Sequence, residues 1–261
     1  MKRLVLLSLL IICSRSLIAG GLGAVQMDSM TSFKGQYVGV GAGGVFPFYN
    51  TQVNTLITAR LPFLAEVNGK GDFSSNDGFG NIFLGYGFVL NSFYVGPEVY
   101  FSAGRRPNAD LTIQALNTNP SELLSTYTMA KLNSWEEGID GRLGWLATPG
   151  TLLFVRLGAA FNNITVNSNT TTYTNGTIVP ETKLLNYKAS KSLVGFRAGA
   201  GLEQKLTPRI SVRADYVYTD YGSFSTHGSN YGAPLGPIIN TTQVHLQSQA
   251  VMASIIYDFF I

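Results

Sequence analysis

The sequence predicts an all-β chain: a transmembrane antiparallel up-and-down β-barrel of eight strands, with short periplasmic turns and four long outer loops. Three observations carry this reading. Stretches of about ten residues alternate apolar with small or polar side chains, the two-residue period of a strand. Short and long connections alternate along the chain. Charged residues fall on the face opposite the apolar one, as they do where the apolar face meets lipid and the polar face lines a lumen.

Hydrophobic residues make up 45% of the 261 positions and charged residues 13%, with 29 Gly, 16 Phe and 13 Tyr. Beyond the N-terminus no run of about 18 apolar residues occurs, which argues against a helical membrane protein. Residues 1–24 read as a signal peptide: Lys2 and Arg3 form a basic start, residues 4–12 an apolar run, and Ala19, Gly20, Gly21, Gly23 and Ala24 a small-residue stretch. Cleavage is expected between 19 and 24, and residues 35–261 form the barrel domain.

Removing that segment changes two properties. The single cysteine, Cys13, leaves with it, so the mature chain has no disulfide or thiolate chemistry. Lys2, Arg3 and Arg15 also leave, so the 18 basic residues fall to 15, against 15 acidic ones. The formal charge of +3 therefore belongs to export, and a nucleic-acid partner loses its electrostatic support.

Eight segments carry the alternation: residues 36–46, 78–90, 93–102, 135–146, 151–161, 193–204, 210–218 and 251–261. Short turns follow the second, fourth and sixth, at 91–92, 147–150 and 205–209. Long polar stretches follow the first, third, fifth and seventh. With strand direction taken from these connections, Phe88, Trp145, Tyr257 and Phe259 form a periplasmic aromatic girdle. Phe101, Trp135, Phe161 and Tyr218 form an outer one. The face opposite the apolar one holds Glu98, Glu136, Asp140, Glu203, Asp215 and Asp258 beside Arg142, Arg156, Arg197 and Arg213. Glycines share that face and make room for planar guanidinium groups paired to carboxylates. The expectation is a lumen filled by an ion-pair network. Two residues interrupt the pattern. Glu137 points outward near an interface, and Pro97 removes a ladder donor, for which a bulge is expected.

Residues 196–223 read FRAGAGLEQKLTPRISVRADYVYTDYGS, and residues 138–161 read GIDGRLGWLATPGTLLFVRLGAAF. These resemble the last hairpins of the small OmpA-like and opacity-protein surface-antigen barrels. The chain end, Tyr257-Asp258-Phe259-Phe260-Ile261, resembles the aromatic signal read by the barrel-assembly machinery, although it closes on Ile. The resemblance implies a bacterial outer-membrane location. It also implies a structural or surface-interaction role in an adhesin-like or antigen-like protein that is not an enzyme.

Function is then expected in the outer loops, with outer-membrane lipid, lipopolysaccharide and host or matrix ligands as partners. The first loop, residues 47–77, carries a mixed stretch at 56–67 that would cap the barrel or lie on the membrane. In the second, residues 104–131, Asn119, Pro120 and Glu122 predict a short helix to about Thr126. Arg105 and Arg106 are read there as solvated, with lipopolysaccharide phosphates the alternative. The third, residues 162–190, predicts a hairpin turning at Asn175-Gly176. Were its hairpin to join the wall, the barrel would have ten strands. The fourth, residues 222–243, contains His227-Gly228-Ser229-Asn230, which resembles the His-x-Ser-Asn motif of lipid A 3-O-deacylases. That motif makes His227 and Ser229 the catalytic candidates of an alternative hydrolase reading. A small pore is the third reading. His227 and His245 are too few for a metal site. No cofactor motif is present.

Overall fold

The computed structural model describes residues 33–58, 64–74, 76–104, 108–116, 122–174, 177–232 and 236–259. The signal-peptide segment, Arg105, Arg106, the Asn175-Gly176 tip and residues 260–261 lie outside them. Eleven strands are present: β1 (Gly35–Thr58), β2 (Leu64–Ser74), β3 (Asp77–Leu90), β4 (Phe93–Gly104), β5 (Asn108–Leu116), β6 (Glu122–Leu132), β7 (Trp135–Thr148), β8 (Thr151–Thr174), β9 (Thr177–Lys205), β10 (Ile210–Gly232) and β11 (Gly236–Asp258).

Antiparallel ladders join β1–β3–β4–β7–β8–β9–β10–β11 and return from β11 to β1, closing a ring of eight. Closure leaves no free edge, which a sheet within lipid requires. The turns at one end are tight. Leu90 pairs Phe93 around Asn91, which holds a positive φ of 57° that an Asn side chain tolerates. Thr148 pairs Thr151. Between β9 and β10, Ile210 N donates to Thr207 Oγ1 at 3.0 Å.

The long connections are themselves β structure. β2 pairs β1 above β3, and β5 and β6 form a hairpin whose β6 pairs β8 above β7. Thus β2 runs into β3, β4 into β5 and β6 into β7, each with a short interruption, while β1, β8, β9, β10 and β11 run on unbroken. Residues 56–58 and 64–67 belong to the β1–β2 arm rather than to a cap or a membrane-lying segment. The third loop is the paired end of β8 and β9, closing at Thr174↔Thr177. It prolongs two wall strands and adds none; the segments that join the upper wall are β2, β5 and β6.

The predicted helix does not form over its described part, because Glu122–Leu132 is strand β6. Its Asn-Pro-Ser-Glu start favours a helix locally. β-branched Thr126 and Thr128, each side of Tyr127, place both hydroxyl side chains in the interior, and a full ladder to the Thr- and Asn-rich β8 outweighs the cap signal. Pro97 causes no bulge. The register is the same on either side, Gly85↔Glu98 and Phe88↔Val95, and pairing to β3 lapses only opposite Gly96 and Pro97. A bulge does occur in β10, between Asp220 and Gly222. Gly222 adopts φ +68°, and its N–H donates to Asp220 Oδ1 at 2.7 Å. Tyr221 is the extra residue, turned into the interior.

Strand β8 shows why the wall continues. Below, Leu153, Val155, Leu157 and Phe161 point outward, and Leu157 is 51% exposed. Above, the outward positions become Asn163, Thr165, Asn167 and Asn169, while Ile164 and Val166 turn inward and are buried. From Leu152 to Asn169 the side-chain alternation holds, but the apolar face changes sides. β1 does the same, from outward Phe46 and Phe48 to outward Asn50, Gln52 and Asn54, with Tyr49 and Val53 inside. The lower barrel has its apolar face toward lipid, and the upper part has the apolar-in, polar-out pattern of a water-exposed fold.

The upper part is two four-stranded sheets, β2–β1–β11–β10 and β5–β6–β8–β9. Among the described residues the β9–β10 ladder ends at Phe196↔Asp220. Between the sheets lies an apolar core of Tyr49, Ala130, Leu132, Ala160, Ile164, Val166, Leu193, Tyr221, Phe224, Val244 and Leu246. Tyr187 ties β9 to the opposite sheet through its hydroxyl, 3.1 Å from both Thr226 Oγ1 and Thr242 Oγ1.

Candidate functional site: a filled lumen beneath an exposed polar collar

The charged part of the lower lumen is built by residues that alternate inward on six of the eight wall strands. Glu98 on β4, Glu136, Asp140 and Arg142 on β7, Arg156 on β8, Arg197 and Glu203 on β9, Arg213 and Asp215 on β10, and Asp258 on β11 are all buried. The first nine form one connected network. Arg213 donates to Glu98 at 2.8 Å and to Glu203 at 3.0 Å. Arg142 reaches Glu203 at 2.8 Å and Glu98 at 3.4 Å. Arg156 joins Asp140 at 3.0 Å, Asp215 at 3.2 Å and Glu98 at 3.4 Å. Arg197 links Asp140 at 3.6 Å to Glu136 at 3.8 Å.

Asp258 stands apart, paired to Lys205 Nζ at 2.6 Å. Lys205 was missed as a lumen residue because it closes β9 where a turn is expected. The parity of Glu203 on the same strand would have placed it.

Aromatic rings complete the filling. Arg142 lies over Phe154 at 4.2 Å, Arg213 over Phe83 at 4.4 Å and Arg197 over Tyr100 at 3.8 Å. Acids outnumber the cations in this interior, and tyrosine hydroxyls supply further donors. Tyr37 donates to Glu98 at 3.0 Å, and Tyr221 and Tyr100 to Glu136 at 2.6 and 3.2 Å. Glycines opposite these rings are required: a Cβ on Gly39 would fall inside the Phe83 ring, and one on Gly85 would meet the Tyr37 hydroxyl.

Outside, Phe88, Phe101, Trp145, Phe161, Tyr257 and Phe259 are exposed, and Trp135 and Tyr218 are half-buried. Phe101 and Trp135 stack at 6.3 Å beside the outer ends of β4 and β7, and Tyr257 and Phe259 meet edge-on at 5.4 Å near the turns. Glu137 is exposed opposite Phe101 and Phe161.

His227-Gly228-Ser229-Asn230 lies on strand β10, not in a loop, and pairs with β11. His227 and Ser229 both face outward, and His227 Nδ1 is 3.1 Å from Thr241 Oγ1. The structure brings together a different polar trio at the lipid boundary: Ser223 Oγ is 3.0 Å from His245 Nδ1, and Asp220 Oδ1 is 4.0 Å from His245 Nε2. Gln247 Nε2 donates to that same His245 Nε2 at 2.9 Å. At 4.0 Å Asp220 is beyond hydrogen-bond reach of the ring that a catalytic triad would need it to orient.

Comparison with known proteins gives the same architecture. Residues 16–245 match the family described as outer membrane protein beta-barrel domain. A 22 kDa outer membrane protein of Rhizobium leguminosarum bv. viciae is 27% identical over 163 residues, covering 61% of this chain and 62% of that protein, so the match spans under two thirds of the relative. Among solved structures, OprG of Pseudomonas aeruginosa aligns at a TM-score of 0.45 and 14% identity, over 87% of this chain and 97% of that one. Ail of Yersinia pestis, solved with the heparin analogue sucrose octasulfate, aligns at 0.33 and 12%, over 83% and 99%. The family match covers most of the chain, from before β1 into the upper part of β11. The chain belongs to the outer membrane protein beta-barrel domain family, as a barrel of the bacterial outer membrane.

Proposed function

We propose that this protein is a non-conducting, non-enzymatic surface protein whose upper β-collar meets molecules outside the cell. The observation that carries the reading is the change of apolar face along β1 and β8. From Phe161, β8 runs 13 more residues to Thr174, about 43 Å of strand, or some 33 Å of height at the tilt usual in such barrels. A wall that rises so far above its lipid belt, polar outside and packed inside, is built to present a surface. Residues 1–24 supply the export signal, and the outward Tyr257 and Phe259 supply the assembly signal.

Ser229→Cys tests this. Cys13 is the chain's sole cysteine and leaves with the signal segment. An impermeant maleimide should label the variant on intact cells, and expression in a non-adherent bacterium should raise binding to epithelial cells or matrix-coated plates. Absence of labelling overturns the topology. Labelled cells that bind no better than empty-vector cells overturn the interaction role.

A further inference from the structure

The outward face of β11–β1–β2 contains a recess of about 540 Å³ lined by Gln52, Val53, Asn54, Gly69, Lys70, Thr241 and Gln243. Its construction follows from register. Gln52 is the partner of Gln243 on one side and of Lys70 on the other, and Asn54 is the partner of Thr241. Directly paired side chains on one face sit about 5 Å apart, so three strands give a polar floor about 10 Å across. Val53 points inward and is buried, so it contributes backbone. Gly69, its register partner, shares that inward parity and likewise contributes only backbone.

The chemistry of this lining selects a class of ligand. Side-chain amides and a threonine hydroxyl each offer a donor and an acceptor, which matches the hydroxyls of a sugar, themselves donors and acceptors. Lys70 places one compact cation at the end of the row, complementary to a phosphate or carboxylate substituent. The lining presents no aromatic or aliphatic side chain to an apolar ligand.

Depth selects the source. Phe48 is the last outward aromatic of β1, and Gln52 follows four residues later, about 13 Å along the strand and near 10 Å above the hydrocarbon once tilt is allowed for. That is the level of the sugar headgroups of the surrounding outer leaflet. We propose that this recess binds an anionic saccharide of the neighbouring lipopolysaccharide, with Gln52, Asn54, Thr241 and Gln243 holding hydroxyls and Lys70 the phosphate or carboxylate. The proposal rests on the topology given under Proposed function: failure of Ser229→Cys labelling would remove both, whereas failure of the experiment below removes this proposal alone.

The test uses the full mature chain refolded in phosphatidylcholine nanodiscs and titrated with deacylated lipopolysaccharide core oligosaccharide, followed by saturation-transfer NMR and calorimetry. Saturable binding is expected. It should weaken at least tenfold in Gln52→Ala/Gln243→Ala and become less salt-dependent in Lys70→Ala. Lys131→Ala, on the other sheet, should bind as the parent does. All variants should keep the mobility shift on boiling, and Asn54→Leu gives a second way to block the recess should the double variant misfold. Inorganic phosphate alone should not saturate the site. The proposal is overturned by binding that survives both Gln52→Ala/Gln243→Ala and Asn54→Leu, by equal binding of free phosphate, or by no binding to the parent protein.

Discussion

Arg213 Nη1 on β10 donates to Glu98 Oε2 on β4 across 2.8 Å. In the ring of eight, these strands stand directly opposite one another, so this contact spans the lumen. Arg142 and Arg156 reach the same carboxylate from β7 and β8, each at 3.4 Å. One acid thus ties together four of the eight wall strands in a space with little water to soften the electrostatics.

Arg213→Ala should destabilise the folded barrel by about 3 kcal/mol, the low end of what losing one partner of a buried ion pair costs. The low end applies because Glu98 keeps Arg142 and Arg156. Denaturant unfolding in detergent micelles, followed by the mobility shift between unboiled and boiled samples, measures it. A loss below 1 kcal/mol would mean that the network is not holding the wall together.

The chain contains two obstructions in series: the ionic network, and above it the apolar core containing Leu246 and Tyr49. Parent protein in planar bilayers should therefore show no steady conductance. Arg142→Ala combined with Glu203→Ala should remain silent, because the upper core still excludes water. Stable channels in either protein would contradict the packing above the membrane.

Gly39→Leu should cost at least 1–3 kcal/mol, because its side chain competes with the Phe83 ring for the same volume. The readout is the temperature at which the boiled-form mobility appears. An unchanged temperature would show that Phe83 has room to move.

Tyr187→Phe removes the hydroxyl that joins the two upper sheets. The membrane barrel should keep its heat-dependent mobility, while the collar loses about 1 kcal/mol of local stability. External protease on intact cells should cleave the variant several-fold faster than the parent. Equal rates would assign the joining of the sheets to the apolar core alone.

Lipid A mass spectra from cells expressing the parent, Ser223→Ala and His227→Ala should be identical to one another and to those from cells lacking the gene. His227 is engaged with Thr241, and Asp220 stands 4.0 Å from His245, too far to hydrogen-bond and orient it as a base. Loss of an acyl chain that depends on either residue would restore the hydrolase reading.

The lower barrel was legible because its pattern is constant. On β7, Ile139, Leu143 and Trp145 point out, and Glu136, Asp140 and Arg142 point in. The collar was not, because reading one apolar face ends each segment where that face changes sides. On β8 the reading stops at Phe161, although the strand runs to Thr174. On β10 the bulge at Tyr221 adds a phase slip that ends the alternation early. The helix expected after Pro120 arose from a local cap signal, which says nothing of the β8 edge waiting to pair. The recess on β11–β1–β2 was invisible for a different reason: Gln52, Lys70 and Gln243 are scattered along the chain and meet only through register.

The change of apolar face has a consequence for how this protein can vary. In the collar, the inward positions on β10 and β11, such as Phe224, Val244 and Leu246, are committed to packing. Their outward neighbours Ser225, His227 and Gln243 face the exterior and take no part in that packing. Alternate residues along one strand therefore answer to different selective pressures. Every second position can change while the scaffold keeps its shape. The molecule can alter its face to the world without altering its construction.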